Sequence, residues 1–157
     1  MATHVGSVLS AESVGQPDII LRDPAGNIVR DTRAERIAAH TLLLDSIAPK
    51  LARSGVLHRL FMSYSRSVSD PSNELVHLYE IRDALSQHYG GEQKAHAALN
   101  LNRAEWQRLG VLANVEPLEQ GRHRGKNISG HRAASSGELE EARSILRNWI
   151  IAFARTL

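Results

Sequence analysis

The C-terminal stretch from Ser135 to Phe153 constrains the fold more than any other part of the sequence. Ser135 and Glu138 have the spacing of a capping box, in which each side chain accepts a hydrogen bond from the other residue's backbone N–H. Apolar residues then recur at helical spacing and predict a long helix with one broad apolar face. Such a face suits the centre of a helical bundle or a homodimer interface. It comprises Leu139, Ala142, Ile145, Leu146, Trp149, Ile150, Ile151 and Phe153.

Similar patterns predict two helices earlier in the chain. Thr32 and Glu35 also have capping-box spacing, and the helix that they begin is expected to end or kink at Pro49, which has no N–H to donate. The serine-rich stretch 63–72 predicts a connecting loop after the second helix. The expected inward faces are Ala34, Ile37, Ala38, Thr41, Leu44 and Ala48 on the first helix, and Leu57, Leu60, Phe61 and Tyr64 on the second.

A third helix is expected to begin at Asp70-Pro71 and to end at Gly90-Gly91. Its apolar stripe includes Arg82, and a buried arginine needs a partner. The nearby carboxylates on the same helix are poorly placed, so the partner lies elsewhere or is a ligand. Alternatively, Arg82 extends its guanidinium group to solvent at the edge of the stripe.

Two short helices follow, Glu92 to Leu99 and a second one capped by Asn102, joined by a tight turn at Asn100. This spacing approaches a DNA-binding helix-turn-helix. His96 and Trp106 are large for the positions at which such helices cross, so an ordinary corner between two helices is the alternative.

At the other end of the chain, residues 1–16 have no periodicity and predict a flexible arm. Residues 18–30 place two short apolar runs around Pro24 and Gly26, which predicts a β-hairpin that must lean on the helices or on a second subunit. With 157 residues, the chain has the size of one domain. We therefore expect a mainly α fold over 17–157: a single-domain bundle of five or six helices, all within 33–157, with a short N-terminal β-hairpin.

Composition narrows the function classes. The chain has no cysteine, which excludes disulfides, thiolate metal sites and cysteine nucleophiles and is typical of a cytoplasmic protein. No stretch approaches the roughly 20 apolar residues that span a bilayer, so no membrane association is expected. No nucleotide-binding or metalloprotease motif is present, and we expect neither a cofactor nor a metal. The net charge of +2 is too small to attract nucleic acid by itself, so any such function depends on local clustering.

The clearest cluster is the stretch 120–137, which contains basic residues and four glycines but no acidic residue. Guanidinium groups and glycine backbone N–H groups can approach a phosphate closely, so this basic loop predicts a polyanion site, with nucleic acid as the expected partner. A solvated loop without a ligand is the alternative. Base contacts, if any, would come from Asn102, Arg103 and Gln107. The expected phosphate contacts are Arg122, His123, Arg124, Lys126 and Arg132, supplemented by Arg103 and Arg108.

The runs LVHLYEIRDAL (75–85), GGEQKA (90–95) and RLGVLANVEPLEQGRHRGK (108–126) resemble a group of small, largely uncharacterised helical proteins of bacteria and phages. The helix that ends in IRDALSQHYGG (81–91) is also distantly similar to the HEPN superfamily of helical bundles, many of which are metal-independent RNases. This resemblance implies Arg82 and His88 as the catalytic pair. His88 would be the acid/base on a ribose 2′-OH, and Arg82 would stabilise the phosphate charge.

Three functions therefore remain open. The leading one is nucleic-acid or polyanion binding by the basic loop. The alternatives are a HEPN-like RNase and an accessory or structural protein that binds a protein partner through the hairpin and the last helix, without a nucleic-acid role.

Overall fold

The computed structural model describes residues 18–122 and 130–157. The predicted arm, residues 1–16, lies outside these residues. Within the described part, the chain forms a two-stranded antiparallel hairpin followed by six α-helices, which confirms the predicted fold class. The elements are β1 (Ile20–Arg22), β2 (Ile28–Asp31), α1 (Thr32–Leu51), α2 (Gly55–Ser69), α3 (Glu74–Tyr89), α4 (Glu92–Leu99), α5 (Arg103–Gly110) and α6 (Ser136–Arg155), with a 3-10 turn at Pro71–Asn73 and a π-helical segment at Val111–Val115.

Helix α6 lies at the centre of the bundle and packs against all five other helices. Its predicted capping box is present, and Leu139 through Phe153 present the expected buried apolar face. Trp149 stacks on Trp106 of α5, with 4.8 Å between the ring centroids. Because this face is covered by helices of the same chain, the structure gives no support to a homodimer through α6, which stays a prediction.

The capping residue predicted for α1 is wrong, and so is the face that the helix was predicted to bury. The residue that caps the helix is Asp31, whose carboxylate accepts from the Ala34 N–H at 2.9 Å. Thr32 instead accepts a hydrogen bond from the Ile19 N–H at 2.7 Å, which ties the helix to the hairpin. Pro49 lies inside the helix, which ends two residues later at Leu51. The side chains that α1 buries are Thr32, Arg36, Leu43 and Ile47.

The predicted inward face of α1 is therefore mostly exposed, and Ile37 shows 48% of its surface to solvent. Small and apolar residues occur on both sides of this helix, so hydrophobic spacing alone does not choose between them. The face that α1 does bury includes a polar contact. Arg36 is 3% exposed and donates to Asp18 at 2.7 Å, next to the hairpin.

The loop predicted over 63–72 is also wrong, since α2 continues to Ser69. The hydroxyl groups of Ser67 and Ser69 donate to carbonyl oxygens of the preceding helical turn, at Tyr64 and Arg66. Serine can make such bonds within a helix as well as in a loop. The predicted buried face of α2 is confirmed, as are the end of α3 at Gly90 and the left-handed turn residue Asn100.

A buried ion pair joins α3 to α6. The two carboxylate oxygens of Glu74 accept hydrogen bonds from Nε and Nη2 of Arg143, the latter at 3.0 Å. Burial raises the pKa of Glu74, and the hydrogen bonds from Arg143 oppose that rise. The pair thus holds a charge inside the bundle that neither residue could keep there alone.

The variant Arg143→Met should lower the free energy of unfolding by about 3–5 kcal/mol, because it leaves the buried Glu74 carboxylate without a partner. Urea denaturation at neutral pH measures this change. The double variant Glu74→Leu/Arg143→Met should recover most of the loss, since it removes both charges. A single variant as stable as the native protein would show that the pair does not form.

Candidate functional site

The two ends of the predicted basic loop are joined by backbone hydrogen bonds. The Glu119 N–H donates to the Arg132 carbonyl and the Arg132 N–H donates to the Pro117 carbonyl, each at 3.0 Å. We call residues 117–122 and 130–134 the neck. Residues 123–129 connect its two sides and lie outside the described residues. The described residues on the two sides of this segment are therefore held together.

The neck is anchored to the π-helical segment Val111–Val115, which follows α5. The anchor is a backbone carbonyl group that has no hydrogen-bond donor within the helix. In an α-helix the Ala113 carbonyl would accept from residue 117, but Pro117 has no N–H. The chain forms a π-helical segment here, and the Ala113 carbonyl accepts from the Arg122 N–H at 2.8 Å. Such π-helical turns are frequent at functional sites.

Gly121 permits this close approach. A Cβ atom at this position would lie 3.1 Å from the Ala113 carbonyl oxygen and 3.2 Å from that of Leu118, both of which are backbone atoms. The other side of the neck is held by Gln120, which is 2% exposed and accepts from the Ala134 N–H at 2.9 Å. The backbone on both sides of the loop is therefore fixed by hydrogen bonds and steric fit.

The neck brings together two residues that the sequence assigned to different sites. The guanidinium carbon of Arg122 lies 4.5 Å from the centre of the Tyr79 ring, and that of Arg82 lies 4.8 Å from the same ring. Both contacts are cation–π interactions. Each arginine also faces a carboxylate, Arg122 with Asp83 at 3.3 Å and Arg82 with Glu92 at 3.5 Å.

The partner that Arg82 requires is thus supplied by another helix and by aromatic rings. Besides Tyr79, the Trp106 ring lies 4.9 Å from its guanidinium carbon, and Glu92 belongs to the first turn of α4. The Nε atom of Arg82 is buried and has no hydrogen-bond partner among the described residues. The Tyr79 hydroxyl group and Glu92 thus contact the two terminal nitrogens of Arg82, whereas its Nε–H group is left without an acceptor among the described residues.

Arg132 is engaged on the returning side of the neck. Its guanidinium group donates to both carboxylate oxygens of Glu138, at 2.7 and 2.8 Å, and lies 3.5 Å from Glu116. Hydrogen bonds from Arg132 lower the pKa of Glu138 to about 2. Since Glu138 is also part of the capping box of α6, the same carboxylate stabilises the start of this helix and binds the neck through Arg132.

The remaining predicted contacts are distributed differently. Arg108 pairs with Glu141 of α6 at 3.0 Å, and Arg103 is exposed at the start of α5. Of the residues considered for base contacts, Gln107 is exposed, whereas Asn102 uses its side-chain oxygen to cap α5. The predicted contacts His123, Arg124 and Lys126 lie outside the described residues.

The two residues of the implied RNase pair lie on different sides of α3. His88 follows Arg82 by six positions, which places their side chains about 120° apart around a helix. Arg82 faces Trp106, whereas the ring of His88 makes an edge contact with Phe153 of α6 at 5.2 Å. The two side chains therefore contact different helices, and their role as a catalytic pair stays a prediction.

Sequence reasoning named Arg122 and Arg132 but missed the backbone contacts that close the neck. Pro117 was the available clue, because a proline four residues after Ala113 frees a carbonyl at the end of a helix. The contacts of Arg122 and Arg132 with Asp83 and Glu116 join distant parts of the chain and leave no local pattern.

No family model, curated protein or solved structure matches this chain. The resemblances described above stay predictions. In the described ranges 18–122 and 130–157, no group of three or more histidine or acidic side chains could hold a metal ion. In the same ranges, no helix has the length and apolar character to cross a membrane.

The variant Gly121→Ala should lower the free energy of unfolding by about 1–3 kcal/mol, because its Cβ atom would collide with two backbone carbonyl groups. Gly55→Ala is the matched control, since the space around Gly55 is open for 4 Å, and it should be neutral or slightly stabilising. Thermal unfolding compares the two variants. Equal effects would contradict the tight fit at Gly121.

The lowered pKa of Glu138 predicts a dependence of stability on pH. Its ionised form is favoured in the folded state, so this contribution is complete above about pH 5 and is lost as the pH falls towards 2. The native protein should exceed Glu138→Gln in unfolding free energy by about 1–2 kcal/mol near neutrality, and the gap should close in acid. The difference in unfolding free energy between the native protein and Arg132→Met should likewise decrease as the pH falls. A gap that does not change with pH would contradict the pairing.

Proposed function

We propose that the protein binds nucleic acid or a related polyanion through the segment 123–129, which connects the two sides of the neck. The observation that carries this proposal is the closure of the neck by hydrogen bonds between Pro117, Glu119 and Arg132. These bonds fix the described residues that flank the segment on both sides. The segment contains Arg124 and Lys126 and no acidic residue.

The arginines of the neck have a different role from those of the segment. Arg122 and Arg132 already face Asp83 and Glu138, so a phosphate would have to compete with these carboxylates. They position the segment, whereas Arg124, Lys126 and His123, when protonated, supply the charge for the ligand. Binding through two or three cations is electrostatic and carries no sequence preference.

The experiment is a titration of labelled duplex DNA, single-stranded DNA and structured RNA over a series of salt concentrations in EDTA. The double variant Arg124→Glu/Lys126→Glu should weaken binding and reduce the slope of log K against log salt by about 2, because two phosphate contacts are lost. Gel analysis of the RNA after each titration tests for cleavage. Metal-independent cleavage that His88→Ala abolishes would favour the RNase alternative instead.

Arg53→Glu/Arg59→Glu is a control with the same change in net charge. Both residues are exposed near the junction of α1 and α2, where Lys50 donates to the Ala154 carbonyl at the far end of α6. The neck lies at the other end of this helix, roughly 25 Å away at 1.5 Å per residue. The control should keep most of the affinity. Equal losses in the two variants, or no binding at low salt, would contradict the proposal.

A further inference from the structure

Exposed aliphatic residues are concentrated in one part of the chain. Of the nine large hydrophobic side chains that the described residues expose, six lie between residues 19 and 42. Single exposed hydrophobic residues are normal on protein surfaces, whereas a group of them marks an interaction site. The six residues are Ile19, Ile20, Ile28, Val29, Ile37 and Leu42.

The outer face of α1 contains two of them in an almost uncharged surface. Leu42 is 70% exposed, and the alanines that surround it and Ile37 are too small to cover either side chain. The exposed residues of this face are Ala34, Ile37, Ala38, Thr41, Leu42, Asp45 and Ala48. Alanine along a helix lets a second helix approach closely, to about 8 Å between the axes.

The hairpin supplies the other four residues and has little support from its own chain. Residues of β1 and β2 alternate between the two faces of the ribbon, yet Ile20, Ile28 and Val29 are all exposed, so neither face is covered. Its described ties to α1 are polar, through Thr32, through the pair of Asp18 with Arg36 and through the pair of Arg30 with Glu35. A two-stranded ribbon of this kind is marginal in water without further packing.

We propose that a second copy of this chain covers the hairpin and the outer face of α1, with the two α1 helices antiparallel about a two-fold axis. Charge complementarity favours a second copy over an unrelated partner. Arg33 and Asp45 are exposed on α1, and neither has an ion-pair partner among the described residues. In an antiparallel pair centred at the level of Ala39, Arg33 of each copy lies at the height of Asp45 of the other.

The size of the surface explains why the hairpin belongs to it. The outer face of α1 is about 25 Å long and about 10 Å wide, which is well short of the roughly 800 Å² per partner in a typical stable interface. The hairpin directly precedes α1, so an antiparallel arrangement brings it beside the C-terminal half of the other α1. Together the two surfaces form one self-complementary patch, as two-fold symmetry requires.

Sedimentation equilibrium over a range of protein concentrations tests this proposal. The native chain should be a dimer with a dissociation constant of about 1–10 µM, and Ile37→Glu/Leu42→Glu should be monomeric at concentrations at which the native chain is dimeric. Since both residues are exposed in the single chain, the variant should keep its helical circular dichroism. Met62→Glu is the matched control, because Met62 is exposed on α2 outside this surface, and it should remain dimeric.

A charge exchange tests the antiparallel register and separates a specific dimer from nonspecific association. Arg33→Asp and Asp45→Arg should each weaken the dimer about 5-fold or more, and the combined variant should restore it, because the pair is re-formed with its signs exchanged. A native chain that stays monomeric up to about 100 µM would overturn the proposal. A dimer that is insensitive to both the Ile37/Leu42 and the charge variants would also overturn it.

Discussion

Burial of the apolar face of α6 is the interaction on which the rest of the structure depends. The other five helices pack around this face, and the stacked pair Trp106 and Trp149 fills its middle. Two large rings remove much apolar surface from water, and their stacking adds to that stabilisation. The start of α6 is also the point where core and loop meet, since Glu138 caps the helix and binds Arg132 of the neck. The position of the loop is therefore coupled to the stability of the core.

Several arginines of this protein contact other parts of the fold rather than solvent. Arg36 and Arg143 form buried pairs with Asp18 and Glu74, and Arg82 lies between aromatic rings and Glu92. The planar guanidinium group suits these contacts, because it can bind a carboxylate through two N–H groups and stack on a ring. A basic composition alone is therefore a weak guide to ligand binding in this protein. The segment 123–129 differs from the surroundings of these arginines, because its sequence contains Arg124 and Lys126 and no acidic residue.

The elements predicted correctly are those whose local sequence carries the physical cause. The capping box at Ser135, the stop at Gly90 and the turn at Asn100 each depend on residues within one helical turn, and all three are present. The face of α1 and the length of α2 were predicted wrongly. The buried face of α1 includes the contact of Arg36 with Asp18, which is distant in sequence. The length of α2 depends on serine hydroxyl groups, which can form hydrogen bonds in helices as well as in loops.

The candidate site was predictable only in part for the same reason. The basic composition of the site is visible in the sequence, which also identifies Arg82 and Arg122 as candidate site residues. The neck cannot be predicted from the sequence, because it depends on three contacts at once: the Ala113 carbonyl, the close approach at Gly121 and the pairing of Leu118 with Arg132. The shared contact of Arg82 and Arg122 with Tyr79 likewise arises only when α3 and the neck are packed together.

We propose that a polyanion binds through the segment 123–129, which connects the two sides of the neck. The most direct test is a two-dimensional amide NMR titration of the protein with a short oligonucleotide. If the proposal holds, the amide signals that shift first and furthest should belong to 121–132, with Gly121, Arg122 and Gly130 at the edges of the affected region. Shifts centred on α1, on the hairpin or on the surface around His88, with the neck unchanged, would contradict it.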